Sequence, residues 1–248
     1  MNIITLYKKN AFSLAEVLIT IGVIGIVAAM TIPNLVSNYQ KEQTVNQLKS
    51  VYATLNNALE QAKVENGTDV NSWYISNTSD GDASAYFAQN YLLPFLKTTK
   101  ICGNSTVTEC VHKIGFISNL TDTTKKYHTI SGVSSLYSFT LINGPIIGIS
   151  IFSISGTSVS NCRVLVYFDI NGKKAPNLMG KDAFLVELGG NGGAGDKNKF
   201  IPYGSTFERN DLLSSFDVAC NKSTGSGLMC FALIMKDGWK IADDYPWN

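Results

Sequence analysis

The chain is short of charge. Only 16% of its 248 residues are Asp, Glu, Lys or Arg, against about 25% in an ordinary soluble domain. Its 20 basic and 19 acidic residues nearly cancel, leaving a net +1. That balance excludes a nucleic-acid binder working through a strongly basic surface, and no motif gives direct sequence evidence for nucleic acid. Histidine is scarcer still. His112 and His128 are the only two, both in polar, loop-like surroundings and neither beside a nucleophile. No catalytic constellation is legible, so the reading is not an enzyme, and an anchored enzyme ranks behind every binding or structural role. The five cysteines show no paired C-x-x-C spacing, so His112 beside Cys110 does not make a zinc knuckle. No internal repeat is present.

What the chain has in excess is apolar residues, 45% of the total, and they are concentrated at the front. The run Phe12–Ile32, FSLAEVLITIGVIGIVAAMTI, carries a single charge, Glu16. As a helix it spans about 31 Å, matching a hydrocarbon core of roughly 30 Å. Lys8 and Lys9 precede it with no acid, so the positive-inside rule keeps residues 1–11 cytoplasmic and exports the chain beyond Ile32. A cleaved secretory signal has a shorter apolar region and a small-residue cleavage site after it. Here Pro33-Asn34-Leu35 comes next, and Ala28-Ala29-Met30 is only a forced match. The expectation is a single membrane span over 12–32.

Glu16 is the anomaly in that span. A charged side chain at mid-membrane costs roughly 2.5–3.5 kcal/mol, less near the interface, and intramembrane ionisable groups usually have a partner. The simpler alternative is a carboxylate at headgroup level that reaches back to water.

The residues around it, Lys8-Lys9-Asn10-Ala11 followed by Phe12-Ser-Leu-Ala-Glu16-Val-Leu-Ile-Thr-Ile-Gly-Val-Ile-Gly25, resemble the leader and junction of type IV pilins and type II secretion pseudopilins. The resemblance covers roughly residues 8–36. It implies cleavage between Ala11 and Phe12 by a prepilin peptidase and N-methylation of Phe12. It also places Glu16 and Pro33 where the family carries a Glu and, in many members, a proline. Ala11 departs from the usual glycine. The implied partners are the peptidase, copies of the chain and other pilin-like subunits, and an inner-membrane assembly platform. The implied location is the inner membrane with the head exported, then a periplasmic or cell-surface filament serving adhesion or secretion. The family also implies local loss of helicity between Gly25 and Pro33 within a filament. Independently of the family, a cut after Ala11 creates a positive amine one helical turn before Glu16. Between subunits, pairing of that amine with Glu16 disfavours a shifted register, because a shift strands a charge in low dielectric.

After Pro33 the pattern becomes amphipathic. Leu35, Tyr39, Val45, Leu48, Val51, Tyr52, Leu55, Ala58, Leu59 and Ala62 largely recur at spacings of three and four, with Lys and Glu between them. Asn66-Gly67 supplies the stop. The expectation is one helix over 12–66, weakened at Gly22, Gly25 and Pro33, followed by an α+β head over 67–248. The fold class expected is α+β, a long N-terminal helix packed on an antiparallel sheet. A short helix is expected within 84–97, interrupted at Pro94. Strands are expected at Ser135–Asn143, Ile146–Ile154, Cys162–Ile170, Ala183–Leu188 and Leu228–Met235. Residues 66–82 and 102–135, rich in Ser, Thr and Asn, read as solvated loops.

In the exported head disulfides persist, and Cys102/Cys110 and Cys220/Cys230 are candidate pairs, leaving Cys162 as a buried thiol or an alternative partner. Gly190-Asn-Gly192-Gly193-Ala-Gly195 matches G-x-G-x-x-G, but Asp196-Lys-Asn-Lys-Phe-Ile-Pro202 is no phosphate-binding helix, so it reads as a surface loop. Asp169, Asn171 and Asp182 are weak calcium candidates, raised by the family's known calcium binding. Lys173 and Lys174 argue instead for a double turn, so no cofactor is expected. The C-terminal segment with Trp239 and Trp247 reads as an aromatic anchor on the sheet, with a ligand-binding tip as the competing reading. The sequons at Asn104 and Asn221 are at chance frequency in so Asn- and Ser-rich a chain. The leading reading is a filament subunit. The alternative is a membrane-anchored minor or tip subunit whose head binds a ligand or partner.

Overall fold

Apolar residues on a two-residue period can lie on either face of a strand, and here the middle of the chain buries both. The structure, a computed structural model, describes residues 13–76, 78–104, 113–114, 128–129, 136–152, 156–188, 198–214 and 216–247. It divides into two compact units at Lys41/Glu42. The long helix α1 runs from Leu14 to Asn66.

In the first unit α1 carries no charge from Val17 to Gln40 and buries almost nothing. Leu14, Ile19, Ile24 and Met30 are all exposed. Its two threonines are satisfied within the helix: the Thr20 hydroxyl donates to the Val17 carbonyl at 2.9 Å and that of Thr31 to Val27 at 3.0 Å. A helix that closes its own hydrogen bonds and presents only hydrocarbon is what a bilayer accepts.

In the second unit the same helix buries one stripe, Val45, Leu48, Val51, Leu55, Ala58, Leu59 and Ala62. It stops where expected. Gly67 takes the left-handed conformation (φ 95°) and its N–H reaches the Lys63 carbonyl at 3.0 Å.

The stripe packs on a six-stranded antiparallel sheet of order β1-β4-β5-β6-β7-β8. The strands are β1 (Thr98–Gly103), β4 (Tyr137–Leu141), β5 (Ile146–Phe152), β6 (Arg163–Asp169), β7 (Ala183–Leu188) and β8 (Ile201–Pro202), with β2 (Lys113–Ile114) and β3 (His128–Thr129) as a separate pair. Ile147, Ile149, Val164, Val166, Phe184 and Val186 join the α1 stripe in one core. Their alternates Leu165, Tyr167, Ala183 and Leu185 form a second cluster with Leu136, Met179 and Leu228 on the opposite face. Two covered faces explain why β6 and β7 read as continuous apolar runs. The exception is Glu187, diagonal to Arg163 across the β6–β7 pair. The two are joined at 2.8 Å, with Arg163 lying over the Tyr203 ring. Edge strand β1 carries register shifts at Thr98/Lys100 and Ile101/Gly103, irregularities of the kind that discourage edge-to-edge pairing.

Three expectations are corrected. Leu228–Met235 is not a strand: beyond the short helix α3 (Arg209–Leu212), Cys230–Lys236 forms a second one, α4. Cys230 to Ile234 are all buried, so the run shows neither period. Its C-cap was the legible signal: Gly238 is left-handed (φ 73°), its N–H bonds Met235, and the Trp239 N–H bonds Ile234 at 2.8 Å. The helix expected within 84–97 begins earlier, as α2 (Asp80–Phe87), because Ser79 caps it by accepting the Asp82 N–H. It continues through a wide turn to Leu92 and a tight one at Leu93–Phe95. Residues 66–82 are not simply a solvated loop, since Val70, Trp73 and Ile75 are buried. Trp73 stacks on Tyr91 with ring centroids 4.4 Å apart. Most of 102–135 lies outside the described residues.

Candidate functional site

The start of α1 is built by Ser13 and Glu16. The Glu16 N–H donates to Ser13 Oγ at 3.2 Å, while Glu16 Oε2 accepts the Ser13 N–H at 2.8 Å and the Ser13 hydroxyl at 3.0 Å. This is a reciprocal capping box: each side chain satisfies a donor that the first helical turn leaves open. Among the described residues Glu16 Oε1 takes no partner. The pattern that singles out Glu16, a charge in an apolar run, does not single out Ser13, although Ser-x-x-Glu is a capping-box spacing. One oxygen is committed to the helix end and the other is left as an open acceptor among the described residues.

Gly25 lies within the helix, and no atom comes within 4 Å of where a Cβ would sit; the same holds for Gly22. Pro33 lies inside α1 without ending it. Lys8, Lys9, Ala11 and Phe12 lie outside the described residues.

In the head, Cys220 and Cys230 are joined in a disulfide. Cys102 is also disulfide-bonded, and Cys110 lies outside the described residues. Cys162 is a free, buried thiol just before β6. Burial pushes it up to about 12, so it is an inert core residue.

The structure brings Asp169, Asn171 and Asp182 together. The Asn171 N–H donates to Asp169 at 3.1 Å, and the Asn171 side-chain amide lies 3.3 Å from the Asp182 carboxylate. Both Asp182 oxygens also accept backbone donors, from Asn177 at 2.8 Å and Leu178 at 2.6 Å. Burial raises the Asp182 carboxyl above its ordinary value despite those bonds. The arrangement organises a double turn that holds Asn177 in a left-handed conformation (φ 52°).

The C-terminal aromatics anchor the chain. Tyr245 and Trp247 are buried, and the Tyr245 hydroxyl bonds the Gly180 carbonyl. Arg209 grips Asp237 and Asp244, two bonds to each, at 2.5–3.0 Å. Asn221 holds its own loop, accepting the N–H groups of Ser223, Thr224 and Gly225, while Asn104 donates to Gly81 at 3.0 Å. His112 and Gly190–Gly195 lie outside the described residues. His128 is in β3, paired with Ile114.

Over its N-terminal region the chain is similar to type II secretion system core protein G of Escherichia coli (strain K12), with 34% identity over 59 residues. That alignment covers 24% of this chain and 40% of the relative, so the chain matches less than half the length of this curated relative. No solved structure matches. A family model described as a family of unknown function (DUF6613) matches residues 34–248, the amphipathic part of α1 and the entire head. With that match over most of its length, the chain belongs to this family of unknown function.

Proposed function

We propose that the chain is a structural, non-enzymatic subunit of a type II secretion pseudopilus or a type IV pilus-like filament. The observation that carries the reading is the start of α1. There a carboxylate at the head of an apolar stretch commits one oxygen to its own cap and leaves the other without a partner among the described residues, in a region similar to a secretion-system core protein. The chain would enter the inner membrane with Lys8 and Lys9 on the cytoplasmic side and 12–32 as its span, the head over 67–248 being exported. A prepilin peptidase would hydrolyse the Ala11–Phe12 amide, releasing residues 1–11, and the Phe12 amine would then be methylated.

The α-amine of an incoming copy, still positive when methylated, would pair with Glu16 of a copy already assembled. In a low-dielectric bundle a mispaired copy leaves a charge uncompensated, so the pairing fixes register more than it adds stability. Gly25, open on its lateral face, allows close helix approach. Pro33 removes one backbone hydrogen bond where the helix has to adjust. The partners would be other copies, related subunits and the membrane assembly platform.

The test is the N-terminal peptide of protein extracted from cells, together with Glu16→Ala. A mature chain beginning at methylated Phe12, and a variant that inserts but does not assemble, are expected. A chain retaining Met1, or wild-type filament levels in the variant, contradicts the reading.

A further inference from the structure

The head carries a groove at the edge of its core that its C-terminal anchor does not line. Its volume is about 460 Å³, within the range of small-molecule sites. One wall is α1: Gln47, Ser50, Thr54, Asn57 and Gln61. Spaced three and four residues apart, they form one stripe about 21 Å long. None of them is charged. The facing wall is apolar, built from Phe95, Leu96, Leu141, Ile142 and Pro145, and Ile142 is 60% exposed there. Lys97 is the sole charged side chain among the lining residues. Among the described residues it makes no ion pair, and the carboxamides of Gln47, Asn57, Gln61 and Asn143 have no hydrogen-bond partner.

We propose that this groove binds a saccharide bearing an anionic group. A pyranose ring has an apolar C–H face and an edge of hydroxyls, and the groove offers an apolar wall together with a row of carboxamides and hydroxyls. Each carboxamide both donates and accepts, as a hydroxyl does. The stripe's length suits a short oligomer better than a single ring. Lys97 supplies one charge-assisted bond to a carboxylate, and no lining acid opposes it. An extended peptide fits less well. The Leu141 and Ile142 N–H groups are already given to the Pro145 and Lys97 carbonyls, leaving neither for an extended chain in the groove. A helix from a second copy needs an unburied apolar stripe. Among the described head residues α2 and α4 bury theirs, and Val64, Tyr74, Ile101, Phe207 and Phe216 are scattered. The inference concerns the head alone and does not depend on filament assembly.

The test is calorimetric titration of the full chain in a sugar-free detergent with three probes. These are tetragalacturonate, the disaccharide N-acetylglucosaminyl-N-acetylmuramic acid, and neutral cellotetraose. Saturable binding of an acidic probe is expected, about tenfold tighter than cellotetraose. Which acidic probe binds better distinguishes a uronate polymer from a cell-wall glycan as the source. Lys97→Gln should remove the acidic preference. The double variant Asn57→Ala, Gln61→Ala should weaken every probe more than about tenfold with the melting temperature unchanged. The proposal is overturned if neither acidic probe binds, or if the double variant binds as wild type. It is also overturned if Gln61→Cys cross-links between copies at a rate the bound probe does not alter, since the groove is then a subunit contact.

Discussion

Two stretches of one helix are built for different surroundings. From Leu14 to Val36 the helix exposes Leu, Ile, Val and Met on all sides. From Val45 to Ala62 it buries a single stripe of seven residues and leaves Gln, Asn, Lys and Glu outside. Helix propensity does not separate the two stretches, because both form the same backbone. They differ in what lies beside the side chains: hydrocarbon tolerates an apolar surface all round, whereas a sheet covers only one face. Substitutions of one chemical kind should therefore have opposite consequences in the two places.

The largest contrast comes from a buried carboxylate. Leu55→Asp should leave the head unfolded, since the position is completely buried against the sheet, while membrane association persists. Ile24→Asp should do the reverse. The head's melting temperature stays at the wild-type value, and insertion is penalised by about 3 kcal/mol, read as a shift from the membrane to the soluble fraction. If both variants failed in the same assay, the helix would not be divided as described. A graded version is Leu59→Ala. Removing a fully buried side chain should cost about 3 kcal/mol and lower the melting temperature by roughly 6–12 °C, without changing insertion.

Much of this division was legible beforehand. The apolar run, the three-and-four spacing after Pro33, the Asn66-Gly67 stop and four of the strands all follow from local pattern, and the structure places them within a few residues. Leu228–Met235 was not legible, because an element buried on every side has no period to read. Its helical stop lay beyond it, at Gly238. At the candidate site Glu16 stands out as a charge in an apolar run, whereas Ser13 shows only through its Ser-x-x-Glu spacing, a weaker signal than a charge. The groove was invisible in the sequence, since its walls lie more than thirty residues apart and meet only through the fold.

A third measurement sharpens the head's side of the contrast. Breaking the Cys220–Cys230 bridge with Cys220→Ser and Cys230→Ser should cost about 2–3 kcal/mol. It should expose the segment that leads into α4 to protease while the first unit stays membrane-bound. Least in size, Cys162 should resist alkylation at pH 8 in the folded head and react fully in denaturant. Burial pushes its thiol up to about 12, and folded-state labelling would contradict that burial.

The stripe on α1 has a mechanical consequence. If the chain works in a filament under tension, load applied along the first part of the helix reaches the head through Val45, Leu48, Val51, Leu55, Ala58, Leu59 and Ala62. Pulled along its axis, such a row shears as a set, with every contact yielding together, instead of peeling from one end. A joint of that kind resists brief forces far better than its equilibrium stability alone would suggest.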